Sequence, residues 1–166
     1  MGLLDGKVIV VTGAGGGLGR AYALHLAKEG ARIVVNDVGG ARDGTGAGQA
    51  MADQVVAEIK AQGGEAVASY DSVATMAGGE NIVKTAVQAF GRLDVLVNNA
   101  GILRDKTLLK MTEEMWDAVI AVHLKGTFNC TRAVLPVMLE QKSGSVINMS
   151  SGAGWIGSRD GESHYC

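Results

Sequence analysis

The chain has 166 residues, enough to bury one sizeable core and too few for two comfortable domains, so residues 1–166 are read as one domain. A hydrophobic fraction of 47 % against 19 % charged is a globular balance, and a net charge of −2 with scattered Lys and Arg leaves no basic stripe to recommend a nucleic acid or an anionic membrane surface. No apolar run approaches the roughly 20 residues that span a bilayer, and the N-terminus reaches a strand before a signal-peptide hydrophobic region could form, so a soluble intracellular protein is expected.

In chain order, residues 7–12 (KVIVVT) form a β-branched run closed by glycines, which reads as a strand buried on both faces, as a parallel sheet requires. Residues 18–29 change period: Leu18, Tyr22, Leu26 and Ala27 fall on one helical face, and Gly30 follows as a stop. The alternation continues with a strand at 32–37, a helix at 49–62 ended by Gly63-Gly64, a strand at 65–71 and a helix at 81–90. A strand at 94–98, a long helix at 113–141 and a strand at 145–150 complete it. Pro136 lies inside the long helix and is expected to kink it or end its first part. The segment 39–48 (GGARDGTGAG) is too glycine-rich for regular structure and reads as a surface loop. The predicted fold is α/β, a doubly wound parallel sheet with helices on both faces.

Cys130 and Cys166 are far apart and lack ligand spacing, so neither a disulfide framework nor a zinc site is indicated, and Cys130 is expected to pack in its helix. His25, His123 and His164 are equally scattered, and no metal site is predicted.

The turn 12–19 (TGAGGGLG) joins the first strand to the first helix. Glycines there let the backbone approach a pyrophosphate, while free N–H groups and the helix dipole attract its charge. Gly13, Gly17 and Gly19, with Leu18 at the start of the helix, are the predicted cradle. Asp37 closes the second strand 18 residues after Gly19, where a carboxylate can accept hydrogen bonds from both hydroxyls of an adenosine ribose and would repel a 2′-phosphate. The expected cofactor is NAD in preference to NADP. Arg42, in the loop that follows, is the opposing observation.

With TGAGGGLG at the start, Asn98-Asn99-Ala100-Gly101 after the fourth strand, and Ser151 and Tyr165 beyond the fifth, the chain resembles the short-chain dehydrogenase/reductase family along its whole length. That resemblance implies a Rossmann-type fold, here expected to be truncated after the fifth strand. It implies roles for Asn98, Ala100 and Gly101 in bracing the sheet and bordering the adenosine side of the cofactor, and for Asp71, beside Ser72, in meeting the adenine ring. The stretches 35–40 (VNDVGG), 70–73 (YDSV) and 98–105 (NNAGILRD) are similar to the (3R)-hydroxyacyl-CoA dehydrogenase domains of type 2 peroxisomal multifunctional enzymes and their bacterial relatives, which shares the long loop after Asp37. The likeness implies NAD-linked oxidation of a 3-hydroxyacyl-CoA, in the cytoplasm of a bacterium or the peroxisome of a eukaryote.

The same resemblance implies that Ser151 binds the substrate oxygen and Tyr165 acts as acid/base. Their separation of 14 is one residue more than the family's usual spacing. The lysine that lowers the tyrosine pKa would fall at position 169, past Cys166. His123 stands where most of the family carries an asparagine that supports a proton-relay water, and a relay role and local packing are both open. Three readings follow: an NAD-dependent 3-hydroxyacyl-CoA dehydrogenase whose productive form includes further sequence, a non-catalytic NAD-binding form, and a short-chain dehydrogenase/reductase for another carbonyl. The expected partners are a small-molecule substrate and a second copy of the chain in a homo-oligomer.

Overall fold

The computed structural model describes residues 2–154. Five strands, β1 (Val8–Thr12), β2 (Arg32–Asn36), β3 (Ala66–Ser69), β4 (Val95–Asn98) and β5 (Ser145–Asn148), form one sheet in the order β3-β2-β1-β4-β5. All four pairings are parallel, and the strand order winds outward from β1 in opposite directions, through β2 and β3 on one side and through β4 and β5 on the other. In a doubly wound fold that reversal opens a crevice at the carboxyl ends of β1 and β4.

The helices divide as a doubly wound sheet demands. Ile9, Val11, Ile33 and Val35 pack with Ala23, Ala52, Val55 and Ile59 of α1 (Gly17–Lys28) and α2 (Ala50–Ala61). The alternate residues Val8, Val10, Val34 and Leu96 pack against Ile82, Ala86, Cys130 and Val134 of α3 (Met76–Phe90) and α5 (Gly126–Gln141). Every residue of β1 is buried. An uninterrupted β-branched run is therefore what a strand covered on both faces requires.

Several local expectations are corrected. Helix α3 starts at Met76 instead of 81: Thr75 caps it, its side chain accepting from the Gly78 N–H at 3.0 Å. Gly78 and Gly79 look like breakers in sequence, but they are buried helical residues at close contacts. A β-carbon would fall 1.9 Å from the Ser72 carbonyl oxygen at Gly78, and 3.0 Å from the Asn129 backbone at Gly79. The span 113–141 is not one regular helix, since α4 (Glu113–Ile120) passes through a π-turn at Ala121–Lys125 into α5. Pro136 does not end α5, which continues to Gln141. Pro136 and Arg132, whose carbonyl a prolyl ring leaves unbonded, are both on the exposed side, where water can solvate that carbonyl. Leu18, placed on the apolar face of α1, is 64 % exposed, whereas Tyr22, Leu26 and Ala27 of that face are half-buried against the core beside the buried Gly19 and Ala23.

At the β5 edge the burial changes. Three of its four residues are exposed and Ile147 is 48 % exposed, and elsewhere Phe128, Leu135 and Leu139 of α5 also stand in solvent. An open edge strand with exposed apolar side chains templates association. The 1–166 chain is expected to self-associate in sedimentation experiments, and a monodisperse monomer that unfolds cooperatively would contradict this. Among the described residues, no helix is long and apolar enough to cross a membrane.

Candidate functional site

The crevice is organised by one buried hydroxyl. Thr12, the last residue of β1, donates through Oγ1 to the Val97 carbonyl at 3.2 Å and accepts from the Asn99 and Ala100 N–H groups, both at 3.0 Å. Asn99 returns the contact: its Nδ2 donates to the Thr12 carbonyl at 2.9 Å and the Gly13 carbonyl at 3.2 Å. The ends of β1 and β4 are thus joined by five hydrogen bonds, and the glycine turn leaves β1 in a fixed direction. Neither Thr12 nor Asn99 was among the residues singled out from sequence. The available signal was a threonine at the strand end, directly before the glycines, and the Asn-Asn pair at the end of its neighbour.

The turn itself is closely packed on its inner side and open on its outer side. Gly13 has φ +63 with Ala100 against it, and a β-carbon on Gly19 would sit 2.2 Å from the Gly13 carbonyl oxygen and 2.5 Å from Asn99 Nδ2. Gly17, also left-handed at φ +51, has nothing within 4 Å of such an atom. Helix α1 begins there with Gly16 as N-cap, no side-chain cap and no acidic residue in its first turn. A helix end without a side-chain cap or an acidic first turn can receive an anion on its first-turn N–H groups.

Asp37 lies 2.8 Å through Oδ2 from the Gly15 N–H and 2.7 Å through Oδ1 from the Gly39 N–H. Each carboxylate oxygen accepts one backbone hydrogen bond and keeps a further lone pair. Beside it, buried Asn36 donates to the Asp71 carbonyl at 2.9 Å, and the Asp71 carboxylate accepts from Asn81 Nδ2 at 3.0 Å. Ser72 is exposed and its Oγ accepts from the Ala74 N–H at 3.3 Å. Asn98 bridges the other side of the crevice, donating to Thr131 Oγ1 at 3.1 Å and Asn148 Oδ1 at 2.9 Å. The glycine turn, Asp37, Asp71 and residues 98–101 are thereby arranged along the carboxyl ends of adjacent strands, and this donor and acceptor set fits a dinucleotide.

His123 lies in the π-turn. Its Nε2 is 3.0 Å from the Ile102 nitrogen and 2.9 Å from the Ile102 oxygen; the ring accepts from the first or donates to the second according to its tautomer. The His123 carbonyl accepts from Thr127 Oγ1 at 2.7 Å. Ser151 is exposed beyond β5, at the entrance to a 3₁₀ turn (Gly152–Gly154), with its carbonyl 3.2 Å from the Gly154 N–H. Tyr165 lies outside the described residues. Cys130 is buried in α5 as expected, and burial pushes its thiol up to about 11.

The sequence profile of the family described as short chain dehydrogenase matches residues 7–166. A protein of Mycobacterium tuberculosis, named as a short-chain type dehydrogenase/reductase, is 62 % identical over 151 residues, which are 91 % of this chain and 53 % of that protein. The peroxisomal multifunctional enzyme type 2 of Drosophila melanogaster is 56 % identical over 153 residues, covering 92 % of this chain and 25 % of the enzyme. The crystal structure of a short chain dehydrogenase from Mycobacterium avium superposes with a TM-score of 0.90 at 49 % identity, over 99 % of this chain and 59 % of that one. The chain spans about half the length of the first of these curated relatives and a quarter of the second.

Proposed function

The chain belongs to the short-chain dehydrogenase family, and from that premise we propose that it binds NAD in preference to NADP and oxidises a secondary alcohol, a 3-hydroxyacyl-CoA, to the ketone. The observation that carries the coenzyme choice is Asp37, whose two oxygens are fixed by the Gly15 and Gly39 N–H groups with lone pairs left for two ribose hydroxyls. A 2′-phosphate at that place would meet an anchored negative charge. The substrate class is supported by the likeness to the multifunctional enzyme of Drosophila and by the stretches 35–40, 70–73 and 98–105.

When bound, NAD supplies the hydride acceptor. In this reading Ser151 holds the developing alkoxide and Tyr165 takes the hydroxyl proton. The lysine that the family carries four residues after the tyrosine would lower the tyrosine pKa, and His123 would support the proton relay. The catalytic form would include further sequence and pair with a second copy.

Calorimetric titration of the chain with NAD and NADP tests the first half. NAD is expected to bind more tightly. Asp37→Ala should weaken NAD by at least roughly tenfold, since one of its two charge-assisted hydrogen bonds alone is worth about that, while leaving NADP unweakened. Equal affinities in the parent chain would remove the basis for the preference. Reduced coenzyme formed from a 3-hydroxyacyl-CoA by a form extended past Cys166 tests the second half. Binding without turnover in that form would favour the non-catalytic reading, and turnover only of other alcohols would favour another substrate class.

A further inference from the structure

The loop 39–48 follows Asp37 directly, and glycine occupies Gly39, Gly40, Gly44, Gly46 and Gly48. So many glycines carry a large conformational entropy, yet the loop is held against the protein. Its own bonds run from Gly48 N–H to the Val38 carbonyl and from Ala41 N–H to the Thr45 carbonyl. The contacts that bring it to the crevice come from a strap at 102–104. The Leu103 N–H donates to the Arg42 carbonyl at 3.0 Å, Arg104 Nε donates to the Asp43 carbonyl, and the Ile102 side chain lies over Gly44, 3.0 Å from where a β-carbon would be.

The strap is in turn held by His123. Its Nε2 meets the Ile102 backbone, and its ring closes on Gly101, where a β-carbon would fall 2.6 Å from Cε1. A line of contacts therefore runs from the π-turn, through Ile102 and its two neighbours, to the loop beside Asp37.

Building on the coenzyme reading above, we propose that His123 is a positioning residue for the adenosine end of the coenzyme site: through Ile102 it fixes the 102–104 strap, which holds the 39–48 loop closed beside Asp37. Without that anchor, the loop and strap must be ordered at the expense of binding. This role lies at the end of the coenzyme that carries no redox chemistry, so it is separable from any part His123 takes in proton transfer.

ADP-ribose, which contains the adenosine and pyrophosphate but no nicotinamide, is the probe. His123→Ala is expected to weaken ADP-ribose binding to the 1–166 chain roughly tenfold, and Arg104→Ala, at the far end of the strap, to weaken it in the same direction. The Leu103 amide should exchange its hydrogen faster in both variants without ligand. His123→Gln should restore both readouts, because its terminal amide reaches the place of Nε2 and can donate or accept there. His123→Asn, one bond shorter, should not.

ADP-ribose binding and Leu103 exchange unchanged in His123→Ala would overturn the proposal, as would restoration by Asn and not by Gln. If the parent chain itself fails to bind ADP-ribose, the coenzyme reading falls and this role with it, whereas equal affinities in parent and variant defeat the role alone. Arg104→Ala, which removes a hydrogen bond at the protein surface, keeps the test decisive should His123→Ala not fold.

Discussion

Alanine at Gly19 is expected to weaken NAD binding by roughly ten- to a hundredfold and to lower the unfolding free energy by about 1–3 kcal/mol, the usual cost of overpacking a closed site. The new β-carbon would lie 2.2 Å from the Gly13 carbonyl oxygen and 2.5 Å from Asn99 Nδ2. The methyl must push apart two groups that are bonded to each other at 3.2 Å. Thr12 cannot give way, since its hydroxyl holds Val97, Asn99 and Ala100 together. The displacement falls on the turn that aims the α1 N–H groups. Gly17→Ala is the informative control. Its methyl meets no protein atom within 4 Å, so only the left-handed backbone opposes it, at about 1–2 kcal/mol. It projects into the space beside the helix N-terminus, where a pyrophosphate would lie. Gly17→Ala should lose binding with a modest change in unfolding, and Gly19→Ala should lose both. Titration with NAD and chemical unfolding of the two variants check the pair; full-strength binding by Gly19→Ala would refute this account of the turn.

The strands and the glycine turn were legible in the sequence because each is dictated by a local requirement. Val8–Thr12 is buried throughout, so an alternating polar pattern is forbidden there. Gly13 and Gly19 lie where a side chain has no room, so their spacing survives as a motif. Asp37 was legible only as an acid directly after the second strand; its bonds from the Gly15 and Gly39 N–H groups were not. What could not be read depended on partners remote in sequence. Gly78 and Gly79 are in α3 because Ser72 and Asn129 approach them, and nothing local distinguishes that from a turn. The π-turn at Ala121–Lys125 has the composition of ordinary helix, and its use emerges only when His123 meets Ile102, 21 residues earlier in the chain. Asn99 was passed over within a motif whose other members were chosen, because its side chain serves the Thr12 and Gly13 backbone, an acceptor 86 residues away in the case of Gly13.

The site also depends on the opposite end of the sheet, where Asp94→Ala is expected to lower the unfolding free energy at neutral pH by about 2–3 kcal/mol. Asp94 is 4 % exposed. Its Oδ2 accepts the Val8 N–H at 2.9 Å and Arg92 Nε at 2.8 Å, its Oδ1 accepts Arg92 Nη2 at 2.6 Å, and Lys7 Nζ stands 3.5 Å away. It therefore clamps the beginning of β1 to the approach to β4, below the crevice that Thr12 closes at the other end. Removing the carboxylate leaves the Val8 N–H unsatisfied in the interior. The loss stays below that of a fully buried pair because Arg92 and Lys7 are about half exposed and rehydrate.

The pH dependence of the same variant has a definite sign. Burial pushes the Asp94 carboxyl up, but the hydrogen bonds from Arg92 and Val8 and the charges of Arg92 and Lys7 outweigh it and hold its pKa below the ordinary carboxylate value. A carboxyl depressed in the folded state stabilises fully above its unfolded pKa of about 3.9, and that contribution disappears as the pH falls through the lower folded value. The difference in stability between the parent chain and Asp94→Ala should therefore be constant near neutrality and contract below about pH 4. Urea unfolding of both chains across that range measures it, and a difference that widens in acid would show that the charge is not what holds the clamp.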